Sequence, residues 1–180
     1  MQKLLNIYDT LTMRLVQQNW LLPTLARLVF AAVLAVYFFN SGLTKLGDGF
    51  GGVLNPSAGA YVQILPKAFE SAGYDTSALS AHHHGIVIAG IVAEFLLPLL
   101  ILLGLFTRAA ALGMVGFIIL QSVTDLYGHG QADALGRWFD RIPDAAILDQ
   151  RALWLFLLVT LIVKGAGPLS LDKLLVARWR

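Results

Sequence analysis

GIVIAGIVAEFLLPLLILLGLF, residues Gly85 to Phe106, is an apolar run broken by one carboxylate, Glu94, and four residues later by Pro98. A run of this length can cross a bilayer as an α-helix, which needs about 20 apolar residues. An ionisable group at its centre costs about 2.5–3.5 kcal/mol on insertion, so such a residue is rarely idle. Pro98 has no N–H for the carbonyl of residue 94, which frees that acceptor where the helix should kink. Side chain and backbone of Glu94 thus both offer polar groups deep in the membrane.

The rest of the chain agrees with a membrane setting. Of its 180 residues 57% are hydrophobic and 13% charged, with a mean hydropathy of +0.71. Ordinary soluble domains carry about 25% charged residues. The chain reads as one integral membrane domain, residues 1–180. Its net charge of +2 comes from basic residues scattered at the ends of apolar runs, which form no patch for nucleic acid. There is no cysteine, so disulfides, thiolate metal sites, iron–sulfur ligation and thiol redox chemistry by the chain itself are excluded. Redox work would need a bound cofactor or a partner.

Residues 1 to 19 lack the continuous apolar core of a secretory signal. They place Leu4, Tyr8, Leu11 and Leu15 on one stripe, with Lys3, Asn6, Asp9, Arg14 and Gln17 opposite. That pattern predicts an amphipathic helix lying in the interface. Trp20 and Pro23 then launch a first span over about 24–44. Further spans are predicted over 85–106, 108–127 and 147–164, the last with a short apolar centre whose flanking Asp149, Arg151 and Lys164 must pair or snorkel. The fold class is all-α, a four-helix membrane bundle with interfacial helices at both ends and a long first loop. In that loop Tyr61, Ile64, Leu65, Ala68 and Phe69 repeat at helical spacing and predict a short surface helix. Small residues at four-residue spacing (Ala31 and Ala35; Gly85, Ala89 and Ala93; Ala109 and Gly113) predict close helix contacts. Gly165-Ala166-Gly167-Pro168 stops the last span, Ser170 is a candidate N-cap with Asp172 in the first turn, and Leu171, Leu174, Leu175 and Trp179 would anchor a final helix.

Charges fix an orientation. With four spans, Lys3, Arg14, Arg27, Arg108, Lys164, Lys173, Arg178 and Arg180 fall on one side with Asp9 and Asp172. The other side holds Lys45, Lys67, Arg137, Arg141 and Arg151 against eight carboxylates, among them Asp125, Asp133 and Asp149. The positive-inside rule puts both termini in the cytoplasm and loops 45–84 and 128–146 outside.

Three stretches in order resemble the DoxX family of small bacterial membrane proteins: Arg27 through Ser41-Gly42-Leu43-Thr44-Lys45-Leu46; Ala93-Glu94 through Leu103-Gly104-Leu105-Phe106-Thr107-Arg108; and Gly165-Ala166-Gly167-Pro168-Leu169-Ser170-Leu171-Asp172. The resemblance implies a four-helix bundle in the bacterial inner membrane. It also implies an association with sulfur- or quinone-linked oxidoreductases, or with oxidative-stress or copper-responsive systems. The long glycine-containing first loop, the run His82-His83-His84 and the acidic loop 128–146 depart from the shorter members of that family.

Two constellations are candidates for chemistry. Glu94 is expected either to hydrogen-bond with Asn40, Gln121 or Ser122 from neighbouring spans, or to take up a proton beside a bound quinone. His82, His83, His84 and His129 all fall in the outer half; at most two of the run could join His129 on copper or zinc, since helix neighbours do not share a face. The plainer reading is a polar flank at the interface. Lys45 is expected to snorkel outward, and Arg27 to pair with Asp172. The functional expectation is an accessory subunit of a redox or stress-response membrane system that holds a quinone near Glu94. The alternatives are a quinone-reducing enzyme subunit and an extracytoplasmic copper- or zinc-handling protein. Expected partners are the lipid bilayer and another membrane or extracytoplasmic protein or further copies of the chain.

Overall fold

The computed structural model describes residues 1–49 and 51–178, and those residues form an all-α protein. Helix α1, Gln2–Gln17, has no buried residue and leaves its Leu4, Tyr8, Leu11 and Leu15 stripe exposed, as an interfacial helix requires. Next comes α2, Leu21–Leu43, whose middle turn Phe30–Ala35 is π-helical. Two short helices follow in the first loop, α3 (Ala58–Ile64) and α4 (Pro66–Ser71). The long helices α5 (Ala81–Leu103) and α6 (Thr107–Gly128) come after, the latter ending in a π-helical turn over Thr124–Gly128. The chain closes with α7 (Asp149–Lys164) and α8 (Leu171–Arg178).

Helices α2, α5 and α6 are long and apolar enough to cross a membrane, with mean hydropathies of 2.0, 2.8 and 1.6. Residues such as Leu28, Val33, Leu112, Leu120 and Phe156 lie exposed on the outer faces, which suits lipid and not water. Helix α7, at 16 residues, is shorter. It packs against α2 and α6 all the same, through Leu158 and Leu161, which are fully buried with Phe30, Phe38, Met114 and Ile118. Phe38 meets Phe117 and Trp154 edge-on at ring separations of 5.9 and 6.3 Å.

Several boundaries differ from the sequence reading, each for a local reason. Helix α5 begins a turn earlier than residue 85, so the three histidines stand in its first turns. It ends at Leu103 because Gly104 turns left-handed at φ +65, and Phe106 at φ +48 already belongs to the turn before α6. Pro98 is buried inside α5, which runs through it without a break. The predicted single surface helix in the first loop is two helices, since Pro66 lacks an N–H and takes the first position of a new one. They lie on the surface with an apolar inner face: Tyr61 and Phe69 are 2% and 1% exposed, packed with Leu79, Val87 and Ile91 as a second core that caps α5. Ser170 caps α8 as expected, its Oγ accepting from the Lys173 N–H at 3.2 Å. Of the predicted anchors, Trp179 lies outside the described residues, as does Arg180.

Candidate functional site

Close approach of α2 and α5 builds the site. A Cβ at Gly42 would come within 2.8 Å of the Phe95 ring, so any larger residue here would require that ring to shift. The approach brings the last turn of α2 against Glu94. Ser41 Oγ donates to Glu94 Oε1 at 2.9 Å, and Lys45 Nζ donates to the same oxygen at 2.9 Å. Lys45 also donates to Ser41 Oγ at 2.8 Å and to the Ser41 carbonyl at 3.1 Å. Both charged residues are 4% exposed. A buried carboxylate thus has an ammonium partner, and Glu94 Oε2 is left without any hydrogen bond.

This cluster lies in the wall of a cavity of about 850 Å³ between α5 and α6. One side is apolar, with Leu97, Phe117 and Leu120, while Ala89, Gly90, Ala93, Gly113 and Gly116 leave the space open. The small residues read as helix-contact positions on α5 and α6 therefore also make room. A Cβ at Gly116 would meet nothing within 4 Å. Gln63, His129 and Gln131 line the loop-side end, with Tyr37 and Gln121 between. A cleft of this size and mixed lining suits a small amphipathic molecule, as ligand sites run about 300–1,000 Å³.

The expected partners of Glu94 are elsewhere. Asn40 is exposed on α2, and the carboxylate takes its hydrogen bonds from Ser41 and Lys45 instead. Gln121 lines the same cavity, but its Nε2 donates to the Tyr37 hydroxyl at 2.8 Å and its Oε1 is buried without a partner. Ser122 faces the opposite side of α6: it accepts from Arg151 at 2.8 Å, and Arg151 also pairs with Asp125. Lys45 does not snorkel outward: it stands in the turn just after α2, where its Nζ folds back on Ser41 and meets the carboxylate. Opposite charges at Lys45 and Glu94 were the available signal.

The histidines are not brought together. His84 Nδ1 bonds the Tyr61 hydroxyl at 2.6 Å, His83 Nδ1 bonds Ser80 Oγ at 2.9 Å, and His129 Nε2 meets the Gln63 carbonyl at 3.2 Å. His82 is exposed at the start of α5. Among the described residues no three His, Cys, Asp or Glu side chains are arranged to hold a metal ion. The geometry gives copper or zinc no shared donor set, and Asp125 on the same side is paired with Arg151. Burial pushes the Tyr61 phenol up from its ordinary value, which keeps it a neutral partner for His84.

The opposite end of the bundle is tied by groups whose sequence reading was incomplete. Arg27 does not form the expected ion pair with Asp172. It donates to the carbonyls of Ile101 and Leu102 at the end of α5, and to those of Ala166 and Leu169 after α7. Asp172 instead accepts from the N–H groups of Phe106 and Thr107 at 2.7 and 3.0 Å, satisfying the first orphan donors of α6. Gly104 completes this knot, because a Cβ there would lie 2.5 Å from that of Ser170 and 3.0 Å from the Arg27 guanidinium carbon.

The three resembling stretches therefore converge in space at two places, Ser41 and Lys45 on Glu94, and Arg27 and Asp172 around the α5–α6 turn. No curated protein and no solved structure matches the chain. A family model does: it is described as DoxX, and it covers residues 22–124, taking in α2, the first loop, α5 and most of α6. More than half of the 180 residues are matched, with the whole Ser41–Lys45–Glu94 cluster inside the matched region, and the chain belongs to the DoxX family.

Proposed function

We propose that this multi-pass DoxX-family protein is an accessory subunit of a redox or stress-response membrane system, and that it holds a quinone-class lipid in the cavity between α5 and α6. The observation that carries the reading is the buried Glu94–Lys45–Ser41 cluster set in the wall of an otherwise apolar 850 Å³ space. An amphipathic ring fits against Phe117 and Leu97 with its polar head toward Glu94. Exposed small residues on α5 and α6 give it a lateral route from the lipid, which is where such a molecule is dissolved.

The same reading has both termini in the cytoplasm, with α7 as a fourth span. At ~1.5 Å per residue α7 is about 24 Å long, short of the roughly 30 Å hydrocarbon core. Lys164 can snorkel at one end, while at the other Arg151 is neutralised by Asp125. A reporter fused after Arg180 that behaves as extracytoplasmic would refute this topology.

The ligand reading is tested by purifying the protein with its lipids and identifying bound molecules by mass spectrometry. A stoichiometric quinone is expected. Gly116→Leu, which fills the cavity without meeting another atom at its Cβ, should fold normally and lose that molecule. Equal quinone content in the variant and the parent would place the lipid somewhere else.

A further inference from the structure

We propose that the cavity discriminates between the redox states of its ligand and takes the hydroxyl-bearing quinol in preference to the quinone. This rests on the quinone-class reading above and adds a direction to it.

The argument is one of donors and acceptors at the buried end of the cavity. An ammonium has three hydrogens to give and a serine hydroxyl has one. Lys45 gives to Glu94 Oε1, Ser41 Oγ and the Ser41 carbonyl, and Ser41 gives to Glu94 Oε1. Every donor in the cluster is engaged. What remains is an acceptor, Glu94 Oε2, on a residue that lines the cavity, is 4% exposed and has no other partner for that atom. Further along the wall the Tyr37 hydroxyl accepts from Gln121 Nε2, and Gln121 Oε1 is a second buried acceptor without a partner. Glu94 Oε2 finds no donor within the cluster, because both of its neighbours are donors already committed to Oε1. A quinone presents only carbonyl acceptors, which would face a carboxylate oxygen across the contact. A quinol presents O–H groups, one of which satisfies Oε2.

The Glu94→Gln variant makes the idea sharper. Its carbonyl oxygen must stay on Lys45, whose ammonium can only give, so the amide nitrogen takes the place of Oε2 and offers hydrogens. The preference should then invert.

The experiment measures binding of decylubiquinol, decylubiquinone and the dimethyl ether of decylubiquinol to the purified full chain in detergent under anaerobic conditions. The quinol should bind about tenfold tighter than the quinone or the ether, the expected loss when a buried charged acceptor is left unpaired. In Glu94→Gln the quinone should bind at least as tightly as the quinol. Equal binding of quinol and quinone to the parent overturns the proposal while leaving the cavity a quinone site. Binding of none of the three overturns the quinone-class reading itself. Displacement of the quinol by equimolar decanol also overturns the proposal, because the hydroxyl alone, from any lipid alcohol, would then be what is read. Should Glu94→Gln fail to fold, the comparison of quinol with its ether on the parent protein decides the matter, since the two differ in the donated hydrogens.

Discussion

Removing one partner of the Lys45–Glu94 pair should harm the protein far more than removing both. At 2.9 Å and an effective dielectric near 20, the attraction between the two charges is about 6 kcal/mol before desolvation is subtracted. Lys45→Met keeps the length of the side chain but leaves the carboxylate with a single serine donor in a site that is 4% exposed. Stranding a buried charge in this way destabilises by about 3–5 kcal/mol, whereas exchanging both members for apolar groups of similar volume is often close to neutral. For a chain of this size, that corresponds to a melting temperature about 6–20 °C lower in Lys45→Met. Glu94→Leu, which strands the ammonium, should fall in the same range. The double variant Lys45→Met, Glu94→Leu should recover most of the loss. Thermal unfolding of the four proteins in one detergent, followed by circular dichroism, gives the coupling directly. Losses that simply add would refute the reasoning, for then the two side chains stabilise the bundle independently.

Arg27→Lys is expected to destabilise by about 1–3 kcal/mol, because an ammonium has three donors for the four carbonyls that the guanidinium serves, and the shortfall should appear as a lower melting temperature. Gly104→Ala forces a Cβ into a left-handed residue against Ser170, and should lower stability by more than about 1 kcal/mol in the same assay. In the first loop, the Asp75 carboxylate accepts from Ser77 Oγ at 2.7 Å and from its N–H at 2.8 Å, which holds it below the usual 3.8. A lowered folded-state value means the contribution is present at neutral pH and is lost as pH falls through that value, so a carbon-13 titration of Asp75 should have its midpoint under 3.8, and Ser77→Ala should move it back up.

Much of the architecture was legible because lipid imposes a length and a composition on whatever crosses it. The apolar runs fixed α2, α5 and α6 to within a turn, and the same pattern explains the exposed leucines on their outer faces. The errors fell where one residue overrides a periodic pattern. Pro66 divides a stretch whose apolar spacing alone reads as one helix, and Gly104 ends α5 inside a run that is apolar up to Phe106. At the site, Glu94 announced itself by being charged in an apolar run. Its partner did not, because a lysine near a helix end has an easy alternative in the interface, and only the fold brings the carboxylate within its reach. For the histidines the sequence already showed that helix neighbours do not share a face, while the partners of their ring nitrogens, Ser80 for His83 and Tyr61 for His84, came only with the fold.

The Lys45–Glu94 pair also bears on how the chain enters the bilayer. The two residues lie 49 positions apart, Lys45 just after α2 and Glu94 within α5. When α5 partitions from the insertion machinery into lipid, its carboxylate carries a penalty of about 2.5–3.5 kcal/mol unless a counter-charge is at hand. A high mean hydropathy of 2.8 lets α5 enter regardless, but the cheaper passage is alongside α2, with Lys45 already at the depth where Glu94 will stop. Retention of α2 beside the exit site until α5 arrives, and release of the two as a paired unit, is then the order of assembly that the charges favour.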